Sequence, residues 1–242
     1  MSVQKVSDAM ITDLSASKLS GTIADARFPA TLPAISGANL TGIDALPAVG
    51  SSGNVLTSDG TNWASTAAAG GGAWNLIGTA VASGSSSLTI TGLDSTYDTY
   101  AIAISDVIMS GNGDSLYFRV GDSNGVDSGA GDYQYHAMKC RSGSDLFDGQ
   151  GDSNANRIQF PSSIGNATGE CVGAMLFLHN PGDGSGFPNI SGTCNAIRDN
   201  GDSVNGSISG HRTAVITLDR VSILPSAGTI NGRMTVWGIA HS

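Results

Sequence analysis

At 242 residues the chain is long enough for one or two domains. Charged residues make up 13% of it, well below the ~25% of an ordinary soluble domain, and glycine alone fills 34 positions, so Ser, Thr, Asn and Gly carry most of the solubility. A formal charge of −9 argues against nucleic-acid phosphates or an anionic membrane surface as partners, which require a basic face, and favours a neutral polar partner or one bridged by a cation.

Residues 1–18 place Val3, Val6, Met10 and Leu14 at spacings of three to four, one stripe of a short amphipathic helix. A helix of that length is marginal alone in water, where nucleation is costly below ~12–15 residues. It therefore reads as a docking or oligomerisation element. Residues 19–43 repeat a phrase of one aliphatic residue, Ser or Thr, and Gly: Leu19-Ser20-Gly21, Ile35-Ser36-Gly37 and Leu40-Thr41-Gly42. Pro29 and Pro33 exclude a helix there. Each phrase is too short to bury its own apolar residue, which predicts several copies of the chain wound about one axis as an extended, intertwined shaft. Val3, Val6, Met10, Leu14, Leu19 and Ile23 are the expected attachment and trimerisation residues. Residues 44–73 read as a linker or neck, with Trp63 as a packing anchor against sister chains and Gly70-Gly71-Gly72 as a hinge.

From Trp74 the pattern changes to period two, in Ser87–Thr91, Tyr100–Ile104, Leu116–Val120, Cys171–Leu178, Ala214–Leu218 and Met234–Trp237. Gly, Asp, Asn and Ser clusters separate these runs, and no helical pattern interrupts them. Residues 74–242 thus predict an all-β head, an antiparallel β-sandwich of jelly-roll-like form, with Trp74 and Trp237 closing its core. Cys140, Cys171 and Cys194 have no CxxC spacing and lie in apolar or small-residue strings, as buried thiols do. No run approaches the ~18 apolar residues of a membrane span. The opening MSVQKVSDAM has no apolar stretch of the kind a secretory signal carries.

LSGTIADARFPATLPAISGANLTGI, residues 19–43, resembles the shaft repeats of bacteriophage tail fibres. GNVLTSDGTNWAS, Gly53 to Ser65, is similar to a segment often found between fibre shaft and tip. GLDSTYDTYAIAISDVIMSGNGDSLYFRV, Gly92 to Val120, is similar to the opening of a fibre tip domain, and Gly228 to Ile239 to its closing strand. The resemblance implies a homotrimer of the virion, held to tail or baseplate proteins by its N-terminus. The C-terminal head would then face polysaccharide or protein on the host cell surface. A protein made in the cytoplasm and released by lysis needs no signal peptide. The shaft is short where long fibres carry many repeats, which leaves a structural or decoration protein of the virion as the alternative.

Catalysis finds little support. A glycosidase needs two carboxylates across a cleft. The one glutamate is Glu170, in an expected strand, and most aspartates (Asp122, Asp127, Asp132, Asp148, Asp152, Asp199, Asp202) neighbour Gly, Ser or Asn, as turn residues do. A polysaccharide depolymerase ranks last, and the chain reads as a non-enzyme without a cofactor. One candidate structural Ca2+ site is Asp148, Asp152 and Asn154, where oxygen ligands cluster; Asp122–Asp127 is a weaker one. His136, His179, His211 and His241 share no ligand spacing. For sugar binding, Tyr133, Tyr135 and His136, with Phe147 and Asp148, combine rings for stacking with groups for hydroxyls; the same alternation would put Tyr133 and Tyr135 on one strand face as core.

Overall fold

The computed structural model describes residues 54–58, 60–67, 73–142, 144–160, 163–179, 181 and 184–240. The expected helix, the shaft repeats and the attachment residues Val3, Val6, Met10, Leu14, Leu19 and Ile23 lie outside these. The chain divides into two compact units, Met1–Ala68 and Ala69–Ser242. In the first, the stretch expected as linker carries an antiparallel hairpin of β1 (Asn54–Ser58) and β2 (Trp63–Ala67). Its turn contains Gly60 at φ 91°, whose N–H donates to Ser58 Oγ at 3.1 Å. Trp63 is 55% exposed.

The second unit is all-β among its described residues, with every neighbouring strand pair antiparallel. Eight strands form one sheet, in the order β3 (Trp74–Ser85), β15 (Ile230–Ile239), β5 (Thr99–Met109), β11 (Val172–His179), β12 (Asn189–Ile197), β13 (Ser203–Arg212), β8 (Tyr133–Arg141) and β9 (Ser144–Ala155). A smaller sheet runs β10 (Ile158–Gln159), β6 (Leu116–Asp122), β14 (Arg220–Pro225) and β4 (Leu88–Thr91), with β7 (Gly125–Val126) on β6. One hydrophobic cluster joins them. The larger sheet gives it Tyr100, Ile102, Met234, Val236, Leu176 and Ile208, and the smaller gives Leu88, Ile90, Phe118, Val120, Val221 and Ile223. Period-two alternation produces this, since each strand sends every second side chain inward. Burying one such side chain stabilises by about 1.5–3 kcal/mol.

Several expectations change. Ala214–Leu218 is not a strand: Leu218 is fully buried, but its N–H donates to Pro181 O at 3.0 Å and the next, Asp219 N–H, to Gly121 O at 3.0 Å. Its alternating apolar residues therefore serve core packing without a ladder. The ladder strand follows at Arg220. Residues 148–155, expected as a loop of cation ligands, lie in β9 and pair with β8. Trp74 is 46% exposed, because it and Trp237 pack on the outer face of the larger sheet rather than in the core. Of the cysteines, Cys194 is buried, Cys171 intermediate and Cys140 exposed, since β8 turns Cys140 outward.

A polar knot ties the sheets at one end. The buried Tyr133 hydroxyl accepts from Val120 N–H at 3.0 Å and lies 3.0 and 3.1 Å from the Val120 and Asp127 carbonyls, one of which takes its proton. Arg212, its side chain 12% exposed, pairs with Asp127 at 2.7 Å and Asp132 at 3.1 Å. Its guanidinium carbon lies 5.9 Å from the Tyr133 ring centroid.

Tyr133→Phe leaves a buried N–H without its partner and is expected to cost about 1–3 kcal/mol. Arg212→Ala is expected to cost roughly 2–3 kcal/mol, less than a fully buried pair because both acids keep some exposure. Denaturant unfolding of each variant measures both. Burial pushes the Tyr100 phenol up to about 12, and that of Tyr133 higher still. A folded value above the unfolded value of ~10 means that this stability is complete below pH ~10 and drains as pH rises through the folded values. Tyrosinate absorbance from these two residues should therefore appear together with loss of the sheet circular-dichroism signal, not before it.

Candidate functional site

Along β8, Tyr133, Tyr135, Ala137 and Lys139 face inward while Gln134, His136, Met138 and Cys140 face outward. The register carries this across the sheet. His136 stands opposite Gly151 of β9 on one side and Ser209 of β13 on the other, and Ser209 stands opposite Ser191 of β12. One step along the strands, Met138 lines up with Gly149, Ser207 and Thr193; one further, Cys140 lines up with Phe147, Asn205 and Asn195. Residues opposite each other share a face. Across β12, β13 and β8 these three rows present hydroxyls, amides, one imidazole, the Met138 thioether and the Cys140 thiol, without a charged side chain.

Three shallow depressions mark this face. The largest, about 480 Å³, is lined by Gln134 and His136 of β8, Gly151 and Ser153 of β9, Asn189 of β12, and Ser209 and His211 of β13; Tyr135, Asp152 and Gly210 complete its floor. His211 is stacked on Phe187, ring centroids 5.8 Å apart and planes 11° from parallel, and Phe187 is 48% exposed. The others, about 280 and 170 Å³, share Thr193 and Asn205 and run toward Met175 on one side and the 80%-exposed Phe147 on the other. Glycine keeps the face open beside β8. At Gly149 an added Cβ would meet nothing closer than Ala137 O at 3.8 Å, whereas at Gly151 it would come within 2.9 Å of Tyr135 O.

The structure separates the sequence-derived site residues. Tyr133 is a core residue with no exposed surface, and its hydroxyl is consumed by the polar knot, so it does not stack on a ligand. Tyr135 turns inward against the core, where burial raises its phenol. His136 lies in the largest depression. Phe147 faces outward but opposite Cys140, four residues from His136 along β8, ~13 Å at 3.3 Å per residue. Asp148 pairs inward with Arg141 at 2.6 Å and Lys139 at 3.5 Å. Sequence reasoning missed Gln134, Asn189, Ser209 and His211. Their signal was alternation of Ser, Asn and His with Ile, Val, Cys and Gly in β12 and β13.

The candidate Ca2+ ligands do not converge. Asp148 and Asp152 lie four residues apart on one strand, ~13 Å. Asp152 Oδ1 accepts from Asn154 N–H at 2.8 Å in a local turn bond, as Asp122 does from Asn124 at 2.8 Å. Asp127 is already paired with Arg212. No group of three metal-ligating side chains occurs among the described residues. Glu170, too, is committed locally, accepting from Ala167 N–H at 2.8 Å. The chain matches no family model, no curated protein and no solved structure.

EDTA is expected to leave the melting temperature of the full chain unchanged by calorimetry; a fall reversed by Ca2+ would restore a structural ion. Burial pushes the Cys194 thiol up to about 12. Maleimide is therefore expected to label Cys140 in the native protein and Cys194 only after unfolding, read by peptide mass.

Proposed function

We propose that this chain is a short homotrimeric fibre protein of a phage virion. Its N-terminus joins tail or baseplate proteins, and its head, a jelly-roll-like β-sandwich, adheres to polysaccharide on the host cell surface without catalysis. The observation that carries the adhesion is the uncharged outer face of β12, β13 and β8, with its 480 Å³ depression beside the exposed Phe187–His211 stack. Sugars bring apolar ring faces and neutral hydroxyls. An aromatic surface beside Gln134, His136, Asn189 and Ser209 offers stacking and both senses of hydrogen bond, with Asp152 the one carboxylate lining the depression. The residues that resemble fibre shaft and tip segments supply the virion setting. A shallow site binds one sugar chain weakly, and three copies on one particle raise the avidity by ~10²–10⁴ where geometry permits.

The test is retention of the full chain on host-range cells and on a glycan array. Gln134→Ala combined with His136→Ala is expected to weaken binding at least tenfold, while the melting temperature holds, because both side chains point to solvent. Full-length mass by light scattering is expected near three times 24.3 kDa, about 73 kDa. Binding to no cell or glycan, with a trimer intact, would favour a structural or decoration protein of the virion. Release of reducing ends from a polysaccharide would revive a depolymerase.

A further inference from the structure

The remaining outer face of the larger sheet, over β3, β15, β5 and β11, carries an apolar row at one end, followed by a row with Thr79 and Thr235 and a row with Val81 and Arg233. Trp74 packs against Phe177 and Trp237, with ring centroids 6.4 and 5.8 Å apart. Leu76, Trp237, Ala101 and Phe177 occupy one row across four strands. Ala101 is fully buried although alternation with the inward Tyr100 and Ile102 turns it outward, so the patch has a covered layer of its own. Around it Leu76 is 63% exposed, Val81 69%, Trp74 46% and Met175 36%. A cluster of large apolar groups left in water marks an interaction surface.

The sheet edges sharpen this. Natural proteins protect an exposed edge by keeping it short or by placing charge or proline on it. In the smaller sheet β10 and β4 are two and four residues long. In the larger sheet the β9 edge carries Asp148 and Asp152. The opposite edge, β3, is twelve residues long, WNLIGTAVASGS, with no charge and no proline. Its exposed large apolar side chains are Trp74 and Leu76 in the apolar row and Val81 two rows on, with Thr79 between Leu76 and Val81. An edge so bare is an aggregation liability unless the assembled protein covers it.

We propose that a second copy of this chain covers the β3 edge and the Trp74–Phe177–Trp237 patch, which deepens the trimer proposed above and does not depend on adhesion. Two observations select a sister chain. The patch border is self-complementary in charge: Arg233, opposite Val81 and Ser105, and Asp106, beside Ser105 at a bulge with φ 52°, are both exposed, and neither is in an ion pair among the described residues. A neighbouring copy therefore offers a cation for the anion and an anion for the cation. The second is the tether. β3 begins seven Cα steps after the last residue of β2, at most ~25 Å of chain. Chains gathered by their N-terminal segments thus hold their β3 strands at high effective concentration, on the order of mM for a short linker.

The experiment uses the full chain in a Cys140→Ser background, where the exposed native thiol is removed. Val81→Cys and, as a far-edge control, Ser153→Cys are treated with a flexible bismaleimide and run under denaturing conditions. Chain-to-chain cross-linking at least tenfold faster through Val81→Cys than through Ser153→Cys is expected. Leu76→Asp with Val81→Asp, both exposed and so compatible with folding, is expected to raise hydrogen exchange across 74–82 and lower the dissociation temperature of the oligomer. Equal cross-linking rates, or exchange unchanged by the double substitution in a chain that is still trimeric, would overturn this interface and leave the trimer standing. A monomeric chain that binds glycans would overturn the interface and the trimer while leaving adhesion intact. Protection of residues 1–53 lost in a monomer carrying the double substitution would assign the patch to the chain's own N-terminal segment and also overturn the proposal.

Discussion

A β-strand has a side-chain period of two, so a slip of one residue in β8 would bring Tyr133 to the surface and bury His136. The register of that strand is the constraint from which the outer face follows, and the polar knot around Tyr133 holds it. The Tyr133 hydroxyl can meet Val120 N–H only when the ring enters the core, and Arg212 can reach Asp127 and Asp132 only when β13 lies in its observed pairing with β8. A one-residue shift would strand a buried donor and separate a partly buried cation from two acids. Each loss is comparable with a sizeable fraction of a domain's net stability of about 5–15 kcal/mol.

The larger sheet thereby acquires two surfaces of different chemistry on one face. Toward β9 its rows are mostly serine, threonine, asparagine and histidine, with Met138, Cys140 and Phe147 at one end; toward β3 they gather tryptophan, leucine and phenylalanine in one row, with Thr79, Thr235 and Arg233 in the next two. Off β12, β13 and β8 the acids are held locally: Asp122 and Asp152 accept from the N–H two residues on, Asp152 at the rim of the depression, and Asp148 and Asp127 are paired with arginines. A chain with net charge −9 thus keeps an uncharged face of three strands by placing carboxylates where backbone N–H groups and guanidinium groups hold them. The same economy explains why Asp94 and Asp219 titrate low: Asp94 accepts from Thr96 N–H, and Asp219 is clasped by Arg220.

Strands whose inward positions are Ile, Leu, Val, Tyr or Phe, such as β5, β6, β11 and β15, were legible in the sequence because burial writes an alternating pattern. Strands β12 and β13 were less so, for their inward positions include Gly206 and Gly210, and their outward ones are the Ser and Asn that also build turns. β9 misled for the same reason: SDLFDGQGDSNA has the composition of a loop, and its partner β8 makes it a strand. Within the site, the pattern at 133–136 correctly located a strand with two tyrosines on one face, but which face was inward depended on Val120 and Arg212, distant in sequence. Trp74 and Trp237 show the limit of hydrophobicity as a guide, since a large ring belongs equally to a core or to a contact surface.

Gly149 and Gly151 stand two residues apart on the same edge, yet they differ in what they permit. At position 149 an added Cβ would make only an ordinary contact with the Ala137 carbonyl oxygen at 3.8 Å, so a side chain can start there without displacing backbone. Position 151 is held by the carbonyl of Tyr135. The surface beside Met138 is therefore free to drift in shape and chemistry over generations while the sheets beneath it stay as they are. Beside His136, position 151 itself can take a side chain only if the strand moves.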